Sequence, residues 1–332
     1  QMLDGKKVLI TGGTGSLGTA LTRRLLTTNV DTIRIFSRDE LKQVEMSSKF
    51  NEKRLRFLIG DVRDKERLMH ALEDIDIVIH AAALKHVPVI EYNPFEAVKT
   101  NVNGSQNLIE ACLKNNVEKV IAIGTDKAVA PLNTYGTTKL LMERLFVSAN
   151  YYKGTHKTIF TCVRYGNVLG SRGSIVPLFI KQIKNNQNVT VTDPTMTRFN
   201  ITMDKALDLI LRAIENGKGG EIFIPKLKAY KVGDIKDAII QLVNKNTETE
   251  IIKVRPGEKY HESLISENEI RNSFETDMDY ILYEHESQQY STNNFEYEPS
   301  KLTDRYSSDK VELLSIDELK NILINENLIS KL

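Results

Sequence analysis

The chain has no tryptophan and only two cysteines, Cys112 and Cys162, among 332 residues. Two thiols are too few for a disulfide framework or a cysteine-ligated zinc site, and they suit a reducing cytoplasm. An excess of one charge is also missing: Lys and Arg total 45, Asp and Glu 44, and the net charge is +1. That balance argues against a nucleic-acid binder with an overall positive field. No stretch of 18 apolar residues occurs, because the run from Ile75 to Leu84 is broken by Asp76 and His80. A membrane span is therefore not expected. No basic-then-apolar leader opens the chain, so a cytoplasmic location is expected. No His, Asp and Glu cluster shows ligand spacing, so no metal site is expected.

What is present is an ordinary globular balance, 41% hydrophobic and 27% charged, in a length that suits two modest domains or one two-lobed unit. The first half alternates short β-branched runs with helical spacing. Lys7 to Thr11, Thr32 to Ser37, Leu55 to Ile59, Ile75 to His80, Val120 to Gly124 and Ile159 to Arg164 read as strands. Between them lie helical stretches, including Leu17 to Leu26, Asp61 to Leu72, a long helix from Pro94 to Lys114, and Tyr135 to Tyr151. This alternation predicts an α/β fold, a Rossmann-like doubly wound parallel sheet with a smaller C-terminal lobe. After Tyr165 the beat breaks. A helix over Met203 to Glu215 and a strand over Glu221 to Ile224 can return to the sheet, and Val232 to Val243 and Leu313 to Leu323 look helical. From Glu267 to Ser308 there is little periodicity, which reads either as a tail packed on a neighbouring subunit or as a loose surface tail.

The first strand runs into Thr11-Gly12-Gly13-Thr14-Gly15-Ser16-Leu17-Gly18. Gly12, Gly15 and Gly18 form G-x-x-G-x-x-G between a strand and a helix, the context that a dinucleotide loop requires. The first glycine permits the turn, the second admits a pyrophosphate, and the third lets the helix pack on the strand. The helix start then offers free N–H groups and its positive dipole end to phosphates. At the end of the second strand, Ser37 and Arg38 stand where an NAD enzyme usually has a carboxylate. A hydroxyl and a guanidinium suit a 2′-phosphate, so NADP is expected ahead of NAD. Asp39 follows, and keeps NAD open. Asp61 and Val62, after the third strand, are placed for the adenine.

Tyr135-Gly136-Thr137-Thr138-Lys139 is Y-x-x-x-K. Positions i and i+4 share a helix face, so the Lys139 ammonium is expected to stabilise a Tyr135 phenolate and make it a general base for an alcohol. Tyr297 to Lys301 fits the same spacing, but Pro299 argues against a helix there. A few residues before Tyr135, Thr125-Asp126-Lys127 leave the fifth strand. An acid and a base beside the tyrosine permit more than alcohol oxidation.

These motifs together resemble the extended short-chain dehydrogenase/reductases. Ser37 to Gln43, Ile59 to Asp64, His80 to Pro88, Thr125 to Lys127, Arg164 to Val168, Ser171 to Ser174, Thr197 to Phe199 and Arg255 to Lys259 resemble, more narrowly, the inverting UDP-N-acetylglucosamine 4,6-dehydratases. The resemblance covers about residues 6 to 265. It implies a lyase of bacterial surface-glycan biosynthesis, for pseudaminic acid or capsule. The tail from Glu267 resembles the longer capsule-type members, some of which have methionine where this chain has Tyr135. It implies catalytic roles for Tyr135, Lys139, Asp126, Lys127 and Thr125. Tyr135 would take the proton of the hydroxyl on sugar carbon 4, Lys127 the proton on carbon 5, and Asp126 would protonate the departing hydroxyl on carbon 6. Retaining dehydratases of the family usually have Glu where this chain has Lys127, so that lysine points to inversion at carbon 5. Cofactor contacts are implied for Thr11, Gly12, Thr14, Gly15, Ser16, Leu17, Gly18, Ser37, Arg38 and Lys42, and for Asp61, Val62, Ala81, Ala82, Lys85, Asn101, Tyr135 and Lys139. Lys85, His86, Asn167, Arg198, Arg255 and Glu258 are the expected contacts to UDP-N-acetylglucosamine, with amide and guanidinium donors on the diphosphate and Glu258 on ribose hydroxyls. The expected division is a cofactor domain over residues 1–165 plus about 200–226, and a UDP-sugar lobe over 166–199 and 227–332. A homo-oligomer, with a hexamer as the expected form, completes the reading. A UDP-sugar 4-epimerase shares the first oxidation but has no use for Asp126 and Lys127. A non-catalytic NADP-binding protein would not need Tyr135 and Lys139.

Overall fold

The structure, a computed structural model, describes residues 2–284 and 296–329. The chain folds into two compact units. The first comprises Gln1–Arg164, Leu207–Pro225 and Arg271–Lys301, and the second Tyr165–Ala206, Lys226–Ile270 and Leu302–Leu332.

The first unit is built on β1 (Lys7–Thr11), β2 (Thr32–Ser37), β3 (Leu55–Ile59), β4 (Ile77–His80), β5 (Lys119–Ile123) and β6 (Ile159–Val163). They pair in parallel in the order β3-β2-β1-β4-β5-β6. Val8, Leu9, Ile10, Ile77, Val78 and Ile79 are all fully buried, so both faces of the central strands are covered and the runs are continuously apolar rather than alternating. Because the chain order reverses between β1 and β4, a crevice opens at their carboxyl ends. Helices Ser16–Leu25, Glu40–Phe50, Lys65–Ala71 and Thr134–Tyr152 supply crossovers. Helix Met203–Asn216, whose residues from Leu207 belong to this unit, precedes strand Ile222–Pro225, which joins β6 in parallel as the sequence predicts.

Two segments differ from expectation. Pro94 to Lys114 is not one α-helix: Pro94–Ala97 is α, Val98–Asn103 is a π turn, and Gly104–Lys114 is α again. Asn101, within the wider turn, is buried, and its side chain bonds both backbone groups of Leu84. The aperiodic region is not a loose tail. Strands Ser273–Glu275, Asp279–Leu282 and Glu298–Pro299 extend the same sheet antiparallel, through Asp279–Leu282 against Ile222–Pro225. Arg212 clamps this extension by a two-pronged bond to Asp279, at 2.7 and 2.8 Å. The described residues of 271–301 therefore belong with the parallel sheet and not with the C-terminal lobe. Residues 285–295 of that expected tail lie outside the described residues. The second copy of the Y-x-x-x-K spacing falls on strand Glu298–Pro299, not on a helix.

The second unit packs helices Ile175–Lys184, Val232–Val243 and Ile316–Asn325 around a core that includes Phe179, Ile183, Val191, Ile239 and Leu323. The last helix begins later than its apolar spacing predicts. Ser315 and Glu318 form a capping box that sets its start. Three two-stranded pairs complete the unit, among them Thr197–Phe199 with Ala229–Lys231. Among the described residues no helix is long and apolar enough to cross a membrane.

The added strands yield a direct test. Ile281 is fully buried, so Ile281→Ala should cost about 2–5 kcal/mol of stability, read as a lower urea midpoint. An unchanged midpoint would mean that this segment is not part of the sheet.

Candidate active site

A cavity of about 500 Å³ occupies the crevice at the carboxyl ends of the first strands. Gly12, Thr14 and Gly15 line it from the loop after β1, and Ala81 and Ala82 from the end of β4. Gly12 has φ +62° and sits so close to β4 that a Cβ would lie 2.9 Å from the Ala82 nitrogen. Only glycine fits that cradle. Gly15 is the N-cap of helix Ser16–Leu25 and brings no side chain to the helix start, which leaves N–H groups for an anion. Ser16 and Leu17 form the first turn. Gly18 does not pack on the strand as expected; its missing Cβ would meet the backbone of Gly13 at 2.5 Å. The contact with the sheet is made by Gly13, whose Cβ would meet Ile35 at 2.8 Å and the Ile10 oxygen at 3.0 Å. Spacing alone passes over Gly13.

The rim of the same cavity carries Ser37, Arg38, Lys42, Asp61, Val62 and Lys85. Arg38, Lys42 and Lys85 are exposed there. Asp39 caps helix Glu40–Phe50, accepting from the Lys42 N–H at 3.0 Å. Asp61 accepts from the Arg63 N–H. Desolvation, and next the charge of Lys42, lower the pKa of the Lys85 ammonium. His86 is exposed at the start of helix Val87–Tyr92.

Beneath the crevice runs a chain of hydrogen bonds. Thr11 Oγ1 accepts from the Ala81 and Ala82 N–H groups, both at 3.1 Å, so its own proton goes to His80 Nδ1 at 2.7 Å. Burial, and next the charge of Lys139, push His80 down to about 3, so the ring is neutral. Its Nε2–H then donates to Ser105 Oγ at 3.3 Å, and Ser105 donates to the Asn101 oxygen at 2.6 Å. Asn101 Nδ2 reaches Thr138 Oγ1 at 3.1 Å on the helix that carries Tyr135. Asn101 is thus a brace between the two halves of the crevice.

Thr125, Asp126 and Lys127 leave β5 in a 3₁₀ turn over Asp126–Ala128, and Thr125 caps it by accepting from the Lys127 N–H. Lys127 Nζ donates to both carboxylate oxygens of Asp126, at 2.8 and 3.0 Å. The Asp126 side chain is 3% exposed and that of Lys127 30%, so the carboxylate is enclosed and the lysine half-buried. Tyr135 opens helix Thr134–Tyr152, whose N-cap Asn133 accepts from the Gly136 N–H. Burial raises the Tyr135 pKa; Lys127 lowers it, Asp126 raises it, and contact with Thr125 lowers it. Lys127 is the cation among the groups that shift the phenol. Lys139 Nζ donates to the Ile123 oxygen at 2.8 Å and touches Met142 Sδ. Burial, with the charge of Lys85, brings Lys139 down to about 8. Sequence reasoning also missed Glu143 and Arg164, a fully buried ion pair two turns along the helix from Tyr135.

Of the expected sugar-nucleotide contacts, four lie in the second unit. Arg198 donates to the Thr197 and Tyr260 oxygens and stands 3.7 Å from both Glu258 and Glu262. Glu258 accepts from Thr192 Oγ1 and from the Arg255 N–H. The structure therefore gathers Arg198, Arg255 and Glu258 in one cluster, with Glu262 as an unforeseen member. The side chain of Arg255 is exposed, and so is Asn167. A larger cavity, about 630 Å³, is lined by Lys119, Arg212, Glu221 and Asp279. Those charges are used within the fold: Lys119 on the Ile214 and Gly217 oxygens, Arg212 on Asp279. Among the described residues no cluster could hold a metal ion.

Strand order, glycine loop and tyrosine helix define an extended short-chain dehydrogenase/reductase fold. More narrowly, the chain belongs to the polysaccharide biosynthesis protein family, whose model matches residues 8–284. It is 50% identical over 283 residues to a UDP-N-acetylglucosamine 4,6-dehydratase (inverting) of Campylobacter jejuni, across 85% of this chain and 84% of that one. It is 40% identical over 330 residues to a protein of Rickettsia felis named UDP-glucose 4-epimerase, across 98% and 97% of the two chains. The X-ray structure of Pen from Bacillus thuringiensis matches with a TM-score of 0.90 at 41% identity, covering 98% of this chain and 99% of that chain.

Because Gly12 is held at positive φ against Ala82, Gly12→Ala should weaken dinucleotide binding by roughly ten- to a hundredfold, as ~1–3 kcal/mol of strain implies. Calorimetric titration with NADP+ reads this; unchanged affinity would remove the crevice as the cofactor site.

Proposed function

We propose that the chain dehydrates UDP-N-acetylglucosamine across carbons 4 to 6 and inverts carbon 5, as a nicotinamide-dependent lyase of surface-glycan biosynthesis. The Asp126–Lys127 pair beside Tyr135 carries this reading. Elimination needs an amine able to take a proton and an acid able to give one. An ammonium bonded to a carboxylate already holds the necessary proton. Its transfer from Nζ to Oδ leaves a free amine facing carbon 5 and a carboxylic acid facing the hydroxyl on carbon 6. After the amine has taken the carbon 5 proton and the acid has released water, the pair is an ion pair again. Tyr135 takes the proton of the carbon 4 hydroxyl, which acidifies carbon 5 once the ketone forms. A nicotinamide cofactor held by the Gly12 loop and the helix start at Ser16 would supply the hydride chemistry, oxidation at carbon 4 and reduction at carbon 6. Tyr135 then gives up the proton it took from the carbon 4 hydroxyl to solvent, and a proton from solvent enters the opposite face of carbon 5, which gives inversion and restores the site.

Gly12, Gly15 and the helix start at Ser16 suit the pyrophosphate, and Asp61 and Val62 the adenine. NADP is favoured because Arg38 and Lys42 line the rim; Asp39 lines it too, but its Oδ1 is engaged by the Lys42 N–H as a helix cap. The UDP moiety belongs with Arg198, Arg255, Glu258 and Asn167, and Lys85 and His86 flank the crevice. Arg198 is already balanced by two carboxylates, so a diphosphate would compete with Glu258 for it. The same reading divides the chain into a cofactor domain and a sugar-nucleotide lobe. It places the protein in the cytoplasm, where its two buried cysteines stay reduced. Self-association, with a hexamer as the expected form, would cover Val89, Tyr92 and Phe95, which stand 61%, 92% and 66% exposed on consecutive helices. Pseudaminic acid and capsule remain alternative destinations for the product.

The name of the Rickettsia relative favours a second reading, 4-epimerisation. Product analysis separates the two. The protein with NADP+ and UDP-N-acetylglucosamine should yield a 6-deoxy-4-keto sugar, and Lys127→Met should lower that rate by ~10²-fold or more. UDP-N-acetylgalactosamine as sole product, from both proteins, would establish epimerisation instead.

A further inference from the structure

Tyr135, Lys139 and Glu143 recur at four-residue intervals on one helix, so all three face the same side. A lysine four residues before a glutamate would ordinarily pair with it. Here it does not. The Glu143 carboxylate is taken by Arg164, which follows β6: Nη2 donates to Oε1 at 2.5 Å and Nε to Oε2 at 3.2 Å. Both side chains are 1–2% exposed. The site is closely fitted, since a Cβ on Gly124 would come within 3.4 Å of Glu143 Oε2. Lys139 is left to the Ile123 oxygen.

An isolated buried ammonium tends to lose its proton. Besides Tyr135 on the same helix face and Arg164 behind Glu143, four charged or titratable groups bear on Lys139. Lys85, after β4, opposes its charge; His80, in β4, is neutral; Cys162, in β6, is a thiol held protonated by burial; Glu143, on its own helix, favours its charge.

We propose that the Glu143–Arg164 pair is a positioning element for Lys139. Glu143 keeps Lys139 an ammonium inside the fold, and Arg164 holds Glu143 back so that Lys139 remains available to a ligand. The inference deepens the proposed function, because it concerns the same tyrosine–lysine helix. The two partners therefore act on Lys139 in opposite directions.

The test is a ¹³Cε-lysine NMR titration of the full chain, with Lys139→Arg used only to assign the resonance. It needs neither substrate nor cofactor, so it stands or falls apart from the dehydratase reading. Glu143→Gln should lower the Lys139 midpoint by about one pH unit or more. Glu143→Asp should restore most of it, and Arg164→Gln should raise it. If Glu143→Gln does not fold, Arg164→Gln and the double variant Glu143→Gln/Arg164→Gln decide, with the double variant falling below Arg164→Gln. Variants that unfold more readily while the midpoint stays at the wild-type value would overturn the proposal and leave a purely structural pair.

Discussion

The hydroxyl of Thr11 ties the end of β1 to the end of β4. It accepts two backbone N–H groups from Ala81 and Ala82 and gives its proton to His80. Both strand ends are thereby held at the point where the sheet changes direction, and the Gly12 loop is pressed against Ala82. The same bonds make His80 a neutral donor to Ser105, and through Ser105 and Asn101 they reach the helix of Tyr135. A buried network of this kind is rigid only when every member is satisfied. Here every member has a partner, so the cofactor crevice and the catalytic helix are tied to each other within the first unit.

Charge around that helix follows a second pattern: Asp126 holds Lys127 and Glu143 holds Arg164, while Lys139 is left to the Ile123 carbonyl and Met142 Sδ. A buried pair adds little stability by itself, and losing one partner is costly. Such pairs are better understood by what they position. Lys127, partly open to solvent beside a closed Asp126, is the member able to meet a substrate.

Much of this was legible in the residues. The parallel order followed from strands of continuous β-branched residues separated by helices, and the cofactor loop from glycines at three-residue spacing. Tyr135 and Lys139 were visible for the same reason. Other features lay outside such patterns. Gly13 counts for nothing in the spacing, yet it makes the contact with Ile35. Strands of three or four residues, such as Ser273–Glu275 and Asp279–Leu282, are too short for periodicity to register. Asp126 and Lys127 are adjacent, and neighbours seldom face each other on a helix; the tight turn capped by Thr125 brings them together. Glu143 had a signal, its place eight residues beyond Tyr135, but its partner Arg164 lies on a distant strand end and no local rule links them.

If Asp126 and Lys127 share the proton that elimination requires, carbon 5 must exchange with solvent and change hands in one turnover. NMR of the product formed in deuterated water reports both at once. Deuterium at an inverted carbon 5 is the expected result. A 4-keto product that keeps its original configuration, or its original proton, at carbon 5 would contradict the role given to Lys127.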